Sequence, residues 1–177
     1  MRKLIALLGA VLLLVTCGLV QAAEPFKLAF VDTGNTGRSV TAEALARQRI
    51  EQQQLPIAVI SRAVDMDPYD SSPEANAASL LLQRGIDVSA HRAVQLNAND
   101  VRHSDLILTM TAKHKAKVLE LFPEAKGKTF TLSEYASGNM DDVADAWGKP
   151  LAVYQAMLRQ VEGYLPAVLD KAQHKKP

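Results

Sequence analysis

Between Phe30 and Ser39 the chain leaves an apolar run and enters Asp32-Thr33-Gly34-Asn35-Thr36-Gly37-Arg38-Ser39. A glycine-punctuated turn between a strand and a helix points backbone N–H groups at one spot, and the start of the helix adds positive potential there. That is a cradle for an anion. Arg38, at its end, offers a planar fork of N–H donors suited to two oxygens of a phosphate or sulfate. Spacing alone fits a capped strand-to-helix turn with a surface arginine equally well. Two familiar phosphate-handling patterns fit worse. Gly34 to Ser39 lacks the lysine and the spacing of the nucleotide P-loop. The magnesium-dependent aspartyl phosphatases need a second aspartate two residues after the first, where Gly34 stands.

A second concentration of polar chemistry runs from Tyr135 to Lys149 and contains Asp141, Asp142 and Asp145. It reads as a long loop, and loops of that length usually carry function. Its acids could in principle hold a divalent cation, but a solvated acidic loop is the commoner explanation for such a cluster. Trp147 could line a mouth and stack on an aryl or guanidinium group, or anchor the loop by partial burial. His91, His103, His114 and His174 have no metal-ligand spacing and read as surface or capping residues.

The elements that must position these groups follow from periodicity. Lys27 to Val31 reads as a buried strand, and Ala42, Leu45, Ala46 and Ile50 recur at helical spacing. Pro56 introduces a second short strand, Ile57 to Ile60. Ser72-Pro73-Glu74 opens a helix with a capping hydroxyl, and Gly85 stops it. Asp105 to Met110 is a third strand, Thr111 to Phe122 a helix ended by Pro123, and Thr129 to Leu132 a fourth strand. From Pro150 the positions Leu151, Tyr154, Leu158, Val161 and Leu165 mark a final amphipathic helix that Pro166 can kink. The basic tail from Lys171 to Pro177 reads as frayed. The fold class is therefore α/β, one doubly wound domain with a four-stranded parallel sheet flanked by helices. In such a sheet ligands bind beyond the carboxyl ends of the strands, where the first turn and the Asp145 loop should meet.

Composition narrows the setting. Arg2 and Lys3 precede the apolar run Leu4 to Val15, and Val20-Gln21-Ala22 places small residues where a signal peptidase reads them. Residues 1–22 are expected to be a cleavable signal peptide and 23–177 the domain, with a periplasmic or secreted destination. The run is well short of the roughly 20 residues that cross a bilayer as a helix. Processing and lipidation at Cys17 is the alternative. Cleavage after Ala22 removes two basic and no acidic residues, leaving 18 Lys and Arg against 19 Asp and Glu. That balance gives no reason to expect binding to nucleic acid or to an anionic membrane. Cleavage also removes Cys17, the one cysteine, so the mature chain has neither a disulfide nor a thiolate.

The segment Phe30 to Ser39 resembles the low-molecular-weight phosphotyrosine phosphatase signature C-x-G-N-x-C-R-S-P, most closely the form C-T-G-N-T-C-R-S of protein arginine phosphatases. The similarity continues through Thr41 to Leu45, Ser61-Arg62-Ala63, His91-Arg92-Ala93, Ser104 to Met110 and Asp142 to Gly148, in order along nearly the whole mature chain. Asp32 stands where that family has its nucleophilic cysteine, Gly37 where it has the second cysteine, and Val40 and Ala146 where it has prolines. Carried over residue by residue, the resemblance implies that the amides of Thr33, Gly34, Asn35, Thr36, Gly37 and Arg38, with the Arg38 guanidinium, hold a phosphate. It also implies that Ser39 supports the nucleophile, that Asn35 fixes the loop against His91, and that Asp145 is the general acid beside Trp147. Gly37 leaves no resolving thiol, which argues against the related arsenate reductases.

Three functions follow as expectations. The chain is a pseudophosphatase whose loop binds phosphate or a phosphorylated small molecule or protein, or an active phosphatase with Asp32 as nucleophile and Asp145 as acid. Alternatively it is a scaffold acting through another surface. None of these calls for a metal or other cofactor, and none sets an oligomeric state. A carboxylate keeps the thiolate's charge but is a weaker nucleophile toward phosphorus, and its two oxygens can themselves accept the loop's N–H bonds.

Overall fold

A computed structural model describes residues 24–175; the expected signal peptide 1–22, with Cys17, lies outside them. β1 (Phe26–Asp32) and β2 (Ile57–Ala63) flank α1 (Arg38–Gln53) in sequence. After α2 (Ala75–Leu82) and α3 (Ala98–His103) come β3 (Leu106–Thr109), α4 (Ala112–Leu121), a 3-10 turn at Pro123–Gly127 and β4 (Thr129–Thr131). α5 (Leu132–Ser137) and α6 (Leu151–Gln173) complete the chain. All strand pairs are parallel and the order is β2-β1-β3-β4.

β1 is central because it is apolar on both faces. Leu28 and Phe30 pack with α1 and α6 residues such as Leu45, Leu158 and Val161, whereas Ala29 and Val31 pack with Val101, Ile107 and Val118 on the α3 and α4 side. Strand alternation carries that pattern on to Asp32, which shares the Leu28 and Phe30 face and so points toward the start of α1. β1 connects outward to β2 on one side, and the chain returns to β3 on the other. The crevice at that reversal is where a doubly wound sheet binds ligands.

Several sequence expectations are corrected. The polar segment does not begin at Tyr135, because Thr131 and Glu134 form a capping box and start α5. Tyr135 is thus a buried helical residue, and the loop opens only at Gly138, whose φ of 78° ends the helix. Ser72 does not cap α2; the helix starts at Ala75, and its N-cap Glu74 makes no side-chain capping bond. The tail is helical to Gln173, with the Lys171 ammonium donating to the carbonyls of Tyr135 and Ala136. Short α3, hidden in Asn97 to His103, forms around another capping box, between Asn97 and Asp100.

Candidate functional site

Asp32 is the last residue of β1 and is almost wholly buried. Its carboxylate is held on both oxygens: Oδ1 accepts from the Asn35 amide at 2.6 Å and Oδ2 from the Ser39 amide at 2.9 Å. The amides of Thr33, Gly34, Thr36, Gly37 and Arg38 have no acceptor among the described residues. The turn therefore keeps five open donors around a floor that is already negative.

Asn35 fixes this shape. Its φ of 57° lies in the left-handed region, which asparagine tolerates better than most residues. Its side chain donates to Ser39 Oγ at 3.0 Å and Ser61 Oγ at 2.8 Å and accepts from the Val94 amide at 3.0 Å. His91 Nε2 meets the Asn35 carbonyl at 2.9 Å, the contact anticipated from the sequence. Ser39 reaches Asp32 through its amide, while its hydroxyl is engaged by Asn35.

Arg38 begins α1 and is buried, with Nη2 3.4 Å from Asp145 Oδ2. Asp145 itself is 62% exposed. Its loop is fastened to the end of β3 by the Val143 amide on the Met110 carbonyl and by Asp142 Oδ1 accepting from the Ala112 amide. Val143 and Ala146 are buried on either side of it, so two apolar plugs fix a segment that is otherwise open. Trp147, 65% exposed, stands beside it at the mouth. Asp32, Thr33, Gly34, Thr36, Arg38, Asp145 and Trp147 thus line one cleft of about 330 Å³. Larger hollows, of about 520 and 530 Å³, lie on the outer side of α1 and between α5 and α6, away from the loop amides.

The same cleft contains residues that the sequence did not single out. Asp65, Asp67 and Asp70 line it from the loop after β2, and Glu74 lines it from the start of α2. Glu74 accepts from the Tyr154 hydroxyl and lies 3.5 Å from Thr36 Oγ1. A Cβ built on Gly37 would collide with Glu74 Oε1, so any side chain there would have to push the Glu74 carboxyl aside, whereas a Cβ on Gly34 would meet only ordinary contact. Burial, aided by Asp32 and Asp145, raises the Glu74 pKa against the pull of Tyr154 and Arg38. The Tyr154 phenol is pushed up to about 12, chiefly by burial and by donating to Glu74.

His114 is neither surface nor cap. It is buried in the first turn of α4, and its Nε2 pairs with Thr33 Oγ1 at 2.8 Å while Nδ1 has no partner among the described residues. Burial, then the Arg38 charge, brings its pKa down to about 4. The rule that loops at the carboxyl end of the sheet build the site could have found both His114, one turn beyond β3, and the acids beyond β2.

The family model for low molecular weight phosphotyrosine protein phosphatase matches residues 27–177. The chain belongs to that family. Among its relatives is a protein-arginine-phosphatase of Geobacillus stearothermophilus, 38% identical over 149 residues that span 84% of this chain and 97% of that protein. Another, from Bacillus subtilis, is 33% identical over 77% of this chain and 89% of that protein. The structure of YwlE arginine phosphatase from Geobacillus stearothermophilus aligns with a TM-score of 0.76, at 38% identity, over 84% of this chain and 94% of that one. A cysteine-to-serine mutant of YwlE arginine phosphatase with a phosphorylated active site serine aligns with a TM-score of 0.81, at 30% identity, over 85% of this chain and 97% of that one. This phosphatase-like protein therefore has the fold expected of it, and its family implies phosphorylated ligands. Yet its matched segment contains no cysteine at all.

Proposed function

We propose that this chain is an exported pseudophosphatase: a member of the family that binds a phosphorylated ligand over the Asp32 loop and does not turn it over at a phosphatase's rate. The observation that carries this reading is the Asp32 carboxylate, bonded on both oxygens by the Asn35 and Ser39 amides. A carboxylate is already a weak nucleophile toward phosphorus, and each donated hydrogen bond draws its charge away from attack. The five open amides and Arg38 support anion binding in the same place. Arg38 is the one basic side chain among the cleft's lining residues, facing Asp65, Asp67, Asp70, Glu74 and Asp145. That balance favours a phosphoryl group presented on a neutral or cationic body, such as a basic protein segment.

A specific observation favours a second reading. In the cysteine-to-serine mutant of YwlE an active-site serine is phosphorylated, so an oxygen can take the phosphoryl group in a relative's site. By this reading an Asp32 oxygen attacks phosphorus and Asp145 protonates the leaving group. Water then cleaves the acyl phosphate, regenerating the carboxylate and inorganic phosphate. One assay separates the two: phosphate release from p-nitrophenyl phosphate and from phosphoarginine by the mature chain, beside Asp32→Asn and Arg38→Ala. No turnover, with anion binding that Arg38→Ala abolishes, is the expected result. Turnover that Asp32→Asn removes establishes the second reading, and absence of anion binding leaves only a scaffold.

A further inference from the structure

We propose that Glu74 belongs to the anion site and takes up the proton that lets a dianion sit beside Asp32. This inference rests on the anion-binding reading above and assigns a role to a residue outside the loop.

The Glu74 carboxyl fills the space that a side chain at position 37 would need, so it lies directly against the anion loop rather than at the cleft's outer rim. Oε2 is engaged by the Tyr154 hydroxyl, and Oε1 is the oxygen nearest Gly37 and Thr36. The charged groups around it come from every side of the cleft. Asp32 ends β1, Arg38 starts α1, Asp145 comes from the last loop, Tyr154 projects from α6, and Asp65, Asp67 and Asp70 come from the loop after β2. Only Arg38 among them is positive. A phosphate or sulfate entering this space brings two negative charges to a site that already holds the Asp32 carboxylate.

Asp32, Glu74, Asp145 and a dianion around one guanidinium make an unfavourable set, and one bound proton relieves it most simply. Both Asp32 oxygens already accept hydrogen bonds from the loop's own amides, so that carboxylate is committed to the floor. Glu74 is better suited. Its carboxyl is partly desolvated and its pKa is already raised before any ligand arrives. A proton on Oε1 also turns an acceptor into a donor on the side facing the loop. Binding and protonation are then linked: an anion raises the pKa of Glu74 further, and protonated Glu74 binds the anion more tightly by the same factor.

The sign follows. Anion affinity is greatest at pH values below the raised Glu74 pKa and falls as pH rises through it. Sulfate is the probe, since it stays a dianion throughout and any pH dependence belongs to the protein. Titration calorimetry on the mature chain between pH 4.5 and 8 is expected to show sulfate affinity falling by about tenfold or more, the size of an ordinary coupling between sites. Glu74→Gln keeps the volume and the acceptor for Tyr154 while remaining neutral. It should bind at pH 8 as tightly as the parent does at low pH and lose most of that dependence. Tyr154→Phe removes a donor that steadies the ionised carboxylate, and should move the midpoint to higher pH. A parent and a Glu74→Gln protein with the same pH profile would overturn the role of Glu74 and leave the anion site standing. No sulfate binding in either protein at any pH would overturn both.

Discussion

The floor and the rim of the cleft are built by opposite means. From Asp32 to Ser39 nearly every side chain is buried, and the turn is held through Asn35, which Ser61, His91 and Val94 meet from other elements. From Gly138 to Lys149 most of the chain is exposed, with Val143 and Ala146 as its anchors in the core. The floor is specified by directional bonds, each of which fixes the aim of an amide. The rim is specified by apolar burial, which fixes where the loop sits but leaves the side chains between free to differ. A phosphate cradle needs the first kind of control, and a surface that selects partners can use the second.

That contrast can be broken most forcefully at Asn35. Asn35→Ala removes three buried side-chain bonds and strains the left-handed residue, so it should cost about 3 kcal/mol in urea unfolding and abolish anion binding. Unchanged sulfate affinity in that variant would show the floor to be less exacting than its bonds imply. His114 comes next. It is buried neutral with a pKa of about 4, so the unfolded chain binds its proton first as pH falls below about 6.5. Its contribution is therefore present above that value and lost toward pH 4, by up to roughly 3 kcal/mol. His114→Asn should flatten this part of the melting-temperature profile, and an equally steep profile would refute the assignment.

Gly37→Ala should push the Glu74 carboxyl away from the Tyr154 hydroxyl and destabilise by up to about 1.5 kcal/mol, and Glu74→Ala should recover most of that loss in the double variant. Additive effects in the cycle would mean that the two positions do not meet. At the rim, Val143→Ala should cost about 1–2 kcal/mol and weaken control of Asp145 without disturbing the loop amides. Trp147→Ala is expected to change stability by less than about 0.5 kcal/mol while lowering affinity for aryl ligands over plain sulfate. Equal losses for both ligands would place Trp147 in the floor's support instead.

The floor was the more legible half in the sequence because its constraint is local. A strand running into Asp32-Thr33-Gly34-Asn35-Thr36-Gly37-Arg38 declares the turn and its donors within a few residues. The four-stranded parallel sheet and the approach of Asp145 to Arg38 were equally readable from alternating elements. Glu74 and His114 were not, since their meaning lies in contacts 37 and 81 residues away along the chain, with Gly37 and Thr33. In local terms one is an acid near a helix start and the other a polar residue in a first helical turn. α5 was missed for a related reason: its six residues, Leu132 to Ser137, are too few for a periodic signal, and only the Thr131–Glu134 capping box marks it.

The contact between Gly37 and Glu74 also bears on how such a protein could change with time. A lineage that placed a side chain at position 37 while Glu74 remained would turn the Glu74 carboxyl away from the loop and from the Tyr154 hydroxyl. A packing detail of a few atoms thus ties the size of position 37 to where an acid sits on the wall of the pocket, so a change at one position alters the charge presented by the other.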